Sequence, residues 1–441
     1  MYCDILLILI MKYSKVGKAL VSFLKECKED EMVHNYRDLH QAERGVLEEL
    51  EALLQAQGFL NEEELLPRIS QDQIISHDLG VVVENHTVVA LSLRHCKLKA
   101  LPDSIDRLSN LRDLDLTGNQ LELLPDSIGD LRSLQQCYLD DNQLKSLPET
   151  ICQLSHLSVL RCYKNRLHTL PACIHQLTNL TDISVGNNCL STLPDSLWQL
   201  TGLKVLNLAE NQLTELSEEI GKLSAVHTLD LGHNKLTELP ESLRQLTKLT
   251  HFLYLSNNRI ASLSPKLFEQ MQTLRYLNLS DNRLTELPAS IGHLTHLVEL
   301  RLYNNQLQSL PDELGMLTRL RELHVMNNQL IDLPVAIGRL TQLRELRLAG
   351  NRLAKLPDSI GTMTHLTLLD LRNNRVSSLP EQIGDLTHLT WLDLRANGFA
   401  SLPASLGTLS HLEKLDLRWN RIPPDLEALH QLELNGCVIY L

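Results

Sequence analysis

The segment LRDLDLTGNQLELLPDSIGDLRS, residues 111–133, contains a unit that the rest of the chain repeats. Its Asn119 recurs every 23 residues, apart from two steps of 24 between Asn234 and Asn282. Cys96 occupies the same phase one step earlier, so we count fifteen repeats. Self-similarity at this period is typical of a stacked array in which each unit packs on its neighbours. The phase is marked by asparagines 119, 142, 165, 188, 211, 234, 258, 282, 305, 328, 351, 374, 397 and 420.

Each part of the unit has a physical role. Leu114 and Leu116 alternate with polar residues, which predicts a short strand with one buried face. The asparagine amide both donates and accepts, so it can satisfy backbone groups where the chain turns away from the strand. A proline six residues later favours an extended outer path, and the glycine of the Ile-Gly pair suits a tight outer turn. The pattern therefore predicts a curved sheet of parallel strands joined by outer crossovers.

The unit resembles the leucine-rich repeat, in the form LPxxIGxLxxLxxLxLxxN typical of the intracellular Ras-group type. The resemblance covers about residues 80–441. It implies an α/β solenoid, a curved parallel β-sheet horseshoe of fifteen repeats with a small helical N-terminal cap. We expect residues 1–79 to form this cap or extension, residues 80–432 the array and residues 433–441 a capping strand. The Ras-group similarity also implies a small GTPase or another signalling protein as partner.

The two ends of the chain lack the repeat. Apolar residues at helical spacing within residues 12–57 predict a helical cap that stops at Gly58. Residues 79–93 predict a hairpin that leads into the first repeat strand, and Pro424 predicts the start of a short helix that Gly436 ends before a last edge strand. Since this tail closes the array, we expect no catalytic domain after it. The apolar run at residues 5–11 is shorter than the ~20 residues of a membrane span and is not followed by a signal-peptide cleavage pattern, so a membrane anchor is not expected.

The composition excludes several classes of protein. Hydrophobic residues make up 43% of the chain but aromatic residues only 4%, which predicts an aliphatic core. A net charge of −13 argues against a nucleic-acid partner and weakly favours basic partners. The nine cysteines are scattered without a CxxC pair, which indicates a reduced, cytoplasmic setting without disulfide staples.

The sequence lacks the common motifs of catalytic and nucleotide-binding sites. The chain has no phosphate-binding loop, kinase motif set, HExxH or GxSxG, so we expect neither enzyme activity nor a cofactor. His365, His388 and His411 share one phase in consecutive repeats, about 5 Å apart if the repeats stack. Such a row could bind a metal ion. Because other repeats place Asn, Ser, Arg or Gln at this phase, the favoured interpretation is an exposed ladder, and no metal site is predicted.

The candidate partner surface is the concave face, formed by the polar strand positions six, four and two residues before each asparagine. All five tyrosines between residues 86 and 432 fall at these positions, although a repeat core does not require tyrosine. Exposed aromatic residues beside arginine are typical of binding hot spots, whereas the opposing interpretation is that tyrosine simply favours strands. The candidates are an early group, Tyr138, Arg161 and Tyr163; a mid-array aromatic patch, Phe252, Tyr254, Tyr276, Arg301 and Tyr303; and a late group, Trp391, Arg395 and Arg418.

Other irregularities accompany these groups. Residues of one phase should form charged columns. One column is acidic and consists of Glu299, Glu322 and Glu345. In the last repeats an aspartate column lies beside an arginine column, and the two are expected to pair with each other: Asp370, Asp393 and Asp416 with Arg372, Arg395 and Arg418. An extra residue between Leu249 and Leu253 predicts a local bulge and changed curvature beside the aromatic patch, although it could equally mark the join of two duplicated blocks.

These observations predict a non-enzymatic, monomeric scaffold that binds a protein or peptide on its concave sheet. Fifteen strands at ~4.8 Å give an inner arc of about 67 Å, enough for a globular domain. One alternative is a secreted or translocated effector or immunity-type leucine-rich repeat protein. Another is a hydrolase or metal enzyme built on the histidine ladder.

Overall fold

The computed structural model describes residues 36–61, 64–74 and 77–441. Within this part, the chain forms one open sheet of 17 strands whose order in space follows their order in sequence. The second strand and the fourteen after it are the strands of the fifteen repeats, and they pair in parallel with direct register. The horseshoe solenoid predicted from the sequence is therefore confirmed. The first apolar run and the first helical segment predicted near the N-terminus lie outside the described residues.

The strands are β1 (Leu79–Glu84), β2 (Thr87–Leu93), β3 (Asp113–Asp115), β4 (Gln136–Tyr138), β5 (Val159–Arg161), β6 (Asp182–Ser184), β7 (Val205–Asn207), β8 (Thr228–Asp230), β9 (Phe252–Tyr254), β10 (Tyr276–Asn278), β11 (Glu299–Arg301), β12 (Glu322–His324), β13 (Glu345–Arg347), β14 (Leu368–Asp370), β15 (Trp391–Asp393), β16 (Lys414–Asp416) and β17 (Val438–Tyr440). The α-helices are α1 (Gln41–Ala56) and α2 (Glu427–Leu434). Short 3₁₀ helices span Tyr36–Asp38, Asp103–Arg107, Asp126–Asp130, Glu149–Gln153, Ile174–Gln176, Asp195–Gln199, Glu218–Lys222, Glu241–Gln245, Ala289–His293, Asp312–Met316, Val335–Arg339, Asp358–Thr362, Glu381–Asp385 and Ala404–Thr408.

The core is a continuous aliphatic stack between the sheet and the outer 3₁₀ helices. Leu114, Leu116 and Ile128 are fully buried, and the equivalent side chains of the other repeats join them in one cluster. Burial of one such side chain contributes about 1.5–3 kcal/mol, so the repeats are stable only when stacked.

Each phase asparagine fastens two repeats together. The Asn305 side-chain amide donates to the carbonyl of Leu302 in its own repeat at 3.1 Å and to that of Leu279 in the preceding repeat at 2.9 Å. Its oxygen accepts from the backbone N–H of Leu284 at 3.0 Å. The same three contacts occur at all fourteen phase asparagines, from Asn119 to Asn420. The predicted role of this residue is therefore confirmed.

The glycine of the Ile-Gly pair has a different role from the one predicted. Gly338 lies inside the 3₁₀ helix Val335–Arg339, and the described glycines with positive φ lie elsewhere in the chain. A Cβ atom on Gly338 would lie 2.4 Å from the carbonyl oxygen of Ser359 in the next repeat. Glycine therefore permits close approach of neighbouring outer segments rather than a tight turn.

The predicted bulge beside the aromatic patch is wrong. β8, β9 and β10 pair in unshifted register, with Phe252 opposite Thr228 on one side and Tyr276 on the other. The extra residue is accommodated before β9, where the backbone N–H of His251 donates to the carbonyl of His227 at 3.0 Å. The second long repeat has turns at residues 265–270 in place of a 3₁₀ helix, and Phe268 there is fully buried.

Both ends of the array are covered by the elements that the sequence predicted there. β1 and β2 form the expected hairpin, and buried Glu43 on α1 accepts from the backbone N–H of Val88 at 3.1 Å. Buried Glu51 on α1 accepts from the N–H of Leu66 at 2.7 Å, and its burial raises the pKa of its carboxyl. At the other end α2 packs on the last repeat, Gly436 follows it with φ of +90°, and β17 pairs with β16. Among the described residues, no helix has the length and apolar character needed to cross a membrane.

The cysteines are not all reduced, contrary to expectation. Cys152 and Cys173 form a disulfide between the outer segments of adjacent repeats. Cys152 follows Ile151 and Cys173 precedes Ile174, so stacking of equivalent isoleucines brings the two thiols together although they are 21 residues apart. The sequence did not predict this disulfide, because each cysteine occurs singly in its own repeat.

We predict that Asn305→Ala lowers the free energy of unfolding by about 3 kcal/mol, because it leaves buried backbone groups on both repeats without partners. The neighbouring exposed Gln306→Ala is the matched control and should change stability by less than about 0.5 kcal/mol. Urea denaturation followed by circular dichroism measures both. Equal stabilities of the two variants would contradict the fastening role of the asparagine.

Candidate functional site

The mid-array aromatic patch is a cluster of touching rings on the concave face. Phe252 and Tyr254 project from β9 and stack with ring centroids 5.5 Å apart. Tyr276 on β10 approaches them at centroid distances of 5.5 and 4.9 Å. The Arg301 guanidinium on β11 lies 5.5 Å from the centroid of the Tyr276 ring. Direct strand register brings these side chains together, since positions of the same phase lie on adjacent strands.

Exposure differs within the aromatic patch. Tyr276 is only 9% exposed, because its aromatic neighbours and Arg301 cover it; the expectation of five exposed tyrosines is therefore wrong at this residue. Burial raises the pKa of the Tyr276 hydroxyl, and Arg301 opposes this shift. Phe252, Tyr254 and Tyr303 remain partly exposed. The patch thus has a buried ring beneath a partly exposed aromatic rim.

Two histidines extend the aromatic patch toward the start of the strands. The rings of His227 and His251 lie 4.7 Å apart, and His251 lies 6.4 Å from Phe252. Burial lowers the pKa of the His227 imidazole. Sequence reasoning missed both, because they lie seven residues before their asparagines, outside the three positions assigned to the concave face.

The early group is engaged in internal hydrogen bonds. The Tyr163 hydroxyl donates to Glu210 at 2.8 Å, and its ring lies against Gly186, where an added Cβ would come within 3.1 Å of it. Arg161 pairs with Asp182 at 2.7 Å, and the Tyr138 hydroxyl donates to Gln136 at 2.5 Å. The structure therefore ties these side chains to their own sheet rather than to one another.

The late group is organised by ion pairs. Arg395 donates to Asp393 at 2.6 Å and approaches Asp416 at 3.4 Å, while Arg418 lies 2.7 Å from Asp416. Asp393 and Asp416 are 2% and 1% exposed, so these pairs are needed to neutralise buried carboxylates. Internal pairing of these columns is confirmed.

Aromatic side chains stack on cations beside these pairs. The Lys414 Nζ lies 4.9 Å from the Trp391 ring, and the Arg418 guanidinium lies 5.6 Å from the Trp419 ring. Trp419 is 71% exposed and is therefore the most accessible aromatic residue of this end of the array.

A block of six charged or titratable side chains, the Glu/Arg/His block, shares Arg301 with the aromatic patch and extends from it toward the late group. The column Glu299, Glu322 and Glu345 runs beside the column Arg301, His324 and Arg347 on β11, β12 and β13. Arg301 bonds Glu299 at 2.5 Å and Arg347 bonds Glu345 at 2.8 Å. On the middle strand, His324 Nε2 stays 3.7 Å from Glu322 and 3.8 Å from Glu345. Burial, followed by Arg301 and Arg347, lowers the pKa of His324 to about 4.

The histidine ladder forms as expected. His365 and His388 have ring centroids 5.8 Å apart and His388 and His411 6.4 Å, with nearly parallel planes. All three are exposed. His365 and His388 use Nδ1 to bond backbone carbonyls of the preceding repeat at 2.9 and 2.8 Å. The rings are thus a stacked surface feature anchored to the backbone.

The repeats match a known family along most of the chain. The leucine-rich repeat region family matches residues 82–195, 188–274, 261–356 and 353–438. The chain therefore belongs to the leucine-rich repeat family. Its Ras-group subtype stays a prediction. A search of curated proteins gave no significant match.

Solved structures share this architecture. A leucine-rich repeat protein of Leptospira interrogans is 35% identical, with 78% of this chain and 82% of that one covered and a TM-score of 0.65. The functional domain of InlJ from Listeria monocytogenes, which includes a cysteine ladder, is 23% identical over 88% and 77% of the two chains, with a TM-score of 0.68. The plant peptide hormone receptor RGFR1, solved in complex with RGF2, is 26% identical over 79% and 69%, with a TM-score of 0.55.

Asp230 lies on β8 opposite Tyr254. Because its pKa is shifted in the folded chain, we predict that the free energy of unfolding depends on pH. Its carboxylate accepts from the N–H of Gly232 at 2.9 Å, while burial raises its pKa from 3.8 to about 6. Between these values the folded chain binds a proton that the unfolded chain lacks, so this group stabilises the fold as pH falls from 7 to about 4. Asp230→Asn keeps the acceptor and removes the titration. We expect the wild type to gain about 1–2 kcal/mol relative to the variant over this range.

Urea denaturation at several pH values measures this difference. The exposed Asp312→Asn, which makes the same chemical change at a surface position, serves as the control. A pH-independent difference between wild type and Asp230→Asn would contradict the assignment of the shift to Asp230.

Proposed function

We propose that this protein is a non-enzymatic scaffold that binds a protein or peptide on its concave sheet, with the mid-array aromatic patch as its anchor. Leucine-rich repeat folds are commonly protein-interaction scaffolds. The observation that carries the proposal is the ring cluster of Phe252, Tyr254 and Tyr276, which stands on a face that the repeat core does not need. Such aromatic residues beside an arginine are the composition of hot spots.

The geometry of the aromatic patch reduces the cost of binding. Tyr276 is held by the two rings beside it and by Arg301, and Arg301 is held by Glu299. Because these side chains are already ordered, a partner that covers the rim does not have to immobilise them, at about 0.5–1.5 kcal/mol each. The partly exposed rings of Phe252, Tyr254 and Tyr303 then provide apolar area to bury.

The class of partner follows from charge and from similar proteins. The net charge of −13 and the glutamate column at Glu299, Glu322 and Glu345 favour a partner with basic groups around an apolar centre. The complex of RGFR1 with RGF2 supports a peptide or protein as the ligand class. A small GTPase or other signalling protein is the specific partner that we propose from the Ras-group resemblance.

We predict that Tyr254→Ala with Tyr303→Ala abolishes capture of the partner, because it removes two rings of the exposed rim and leaves buried Tyr276 in place. Tyr163→Ala is the matched control, since Tyr163 lies on the same face but bonds its own sheet. Wild type and variants, each checked for an unchanged melting temperature, are used for quantitative affinity capture with mass spectrometry. Proteins retained by wild type and Tyr163→Ala but lost with the double variant are the expected result. The same retained set for all three proteins would contradict the role of the aromatic patch.

The Cys152–Cys173 disulfide supports a second candidate, a secreted or translocated effector or immunity-type protein. Disulfides persist in oxidising compartments and are rare in the cytoplasm. This bond therefore weighs against the cytoplasmic location that the scattered cysteines favoured. The partly exposed free thiol of Cys189 offers an internal reference for its redox state.

The two locations are distinguished by trapping thiols in acid from cells and from culture medium, followed by alkylation and peptide mass spectrometry. If the protein is secreted, protein from the medium should carry the alkyl label on Cys189 but not on Cys152 and Cys173, because the disulfide protects their sulfurs. Cell-associated protein with all three residues alkylated would instead support the cytoplasmic scaffold.

A further inference from the structure

On β12, the middle strand of the Glu/Arg/His block, Glu322 and His324 could both bind a metal ion, and neither is paired with an arginine. On β11 and β13, an arginine turns back to the glutamate two residues before it, at 2.5 and 2.8 Å. On β12 the residue in the arginine position is His324, which lies 3.7 Å from Glu322, beyond hydrogen-bond distance. The glutamates of β11 and β13 are thus ion-paired with arginine, whereas Glu322 on β12 is not.

The unpaired imidazole is enclosed by the block. The His324 side chain is only 12% exposed, and its Nε2 atom is buried without a hydrogen-bond partner. A buried nitrogen without a partner loses the free energy of hydration without compensation. It faces carboxylate oxygens of Glu322 and Glu345 at 3.7 and 3.8 Å.

The donor atoms have the spacing of a metal site. One ligand atom each from Glu299, Glu322 and His324 lies within 4.8 Å of the other two. Ligand atoms around a divalent ion with bonds of ~2.0–2.2 Å are about 3–4 Å apart, so a small movement of the partly exposed carboxylates closes the set. One imidazole and carboxylates together suit zinc and similar transition-metal ions rather than magnesium or calcium.

We propose that Glu299, Glu322 and His324 form a binding site for a divalent transition-metal ion such as Zn²⁺ on the concave face. The ion takes the neutral His324 nitrogen and one oxygen from each glutamate, with Glu345 as the adjacent carboxylate. Arg301 and Arg347 face the site from the two flanking strands, and their pairing with Glu299 and Glu345 offsets part of their repulsion of the ion. Three protein ligands leave coordination positions open toward the concave groove.

Other candidate clusters are less suitable. The second group of possible ligands, Glu149 with Cys152 and Cys173, has both sulfurs in a disulfide, and a metal needs thiolates. In the histidine ladder, the Nδ1 atoms of His365 and His388 are bonded to backbone carbonyls, and the rings stack in solvent. The block around His324 combines an unpaired imidazole nitrogen with the Glu322 carboxylate, which has no arginine partner on its own strand, and with the ion-paired carboxylates of Glu299 and Glu345.

The test is equilibrium dialysis of the full chain, free of any affinity tag, against Zn²⁺. We expect about one equivalent bound by the wild type, no binding at this site in His324→Ala, and at least tenfold weaker binding in Glu322→Gln. His388→Ala, in the ladder, is the matched control and should bind as the wild type does. Circular dichroism melting confirms that each variant is folded before it is compared.

Three results would overturn the proposal. The first is equal Zn²⁺ binding by wild type and His324→Ala. The second is loss of binding in His388→Ala alone, which would place the ion on the ladder. The third comes from Co²⁺ as a spectroscopic substitute: thiolate-to-cobalt charge-transfer bands would place the ion at a cysteine, whereas the proposed site gives only nitrogen and oxygen ligand-field bands.

Discussion

The structure depends on the hydrogen bonds of one side chain, the asparagine at the end of each repeat strand. Its amide bonds a carbonyl in its own repeat and two backbone groups in the repeat before, as Asn305 does. These contacts satisfy the backbone where the chain leaves the sheet, so the turn does not leave buried groups unpaired. They also fix the distance and register of neighbouring repeats, which lets the leucines form one continuous core.

Fixed register has a direct consequence for the concave face. Residues of the same phase become neighbours on adjacent strands, so the face consists of side-chain columns whose interactions can be read between repeats. Columns of like charge arise automatically, and the chain neutralises most of them with an arginine two residues later in the same repeat. Aromatic side chains at adjacent positions, as at Phe252 and Tyr276, become a cluster for the same geometric reason.

The sequence predicts the repeat architecture well because period and phase determine it. The strands, the asparagine contacts, the hairpin and the charge pairing all follow from residue type at a fixed position. The features that could not be predicted depend on distances between the outer segments of adjacent repeats, or on how much neighbouring side chains bury one another. Examples are the Cys152–Cys173 disulfide, the close approach at Gly338 and the burial of Tyr276. His324 occupies an ordinary polar position of the repeat, and only the folded structure shows that its Nε2 atom has no hydrogen-bond partner.

The two long repeats show where the array tolerates variation. Their extra residues lie before β9 and in the turns at residues 265–270, while the strands between them keep their register. A shift within a strand would have moved each side chain to the opposite face and buried polar groups. Insertions are therefore confined to the segments that enter the strand or cross the outer surface. The first of them lies just before His251, whose ring is near those of both His227 and Phe252. The irregularity thus alters the margin of the aromatic patch without disturbing the sheet that holds its rings in place.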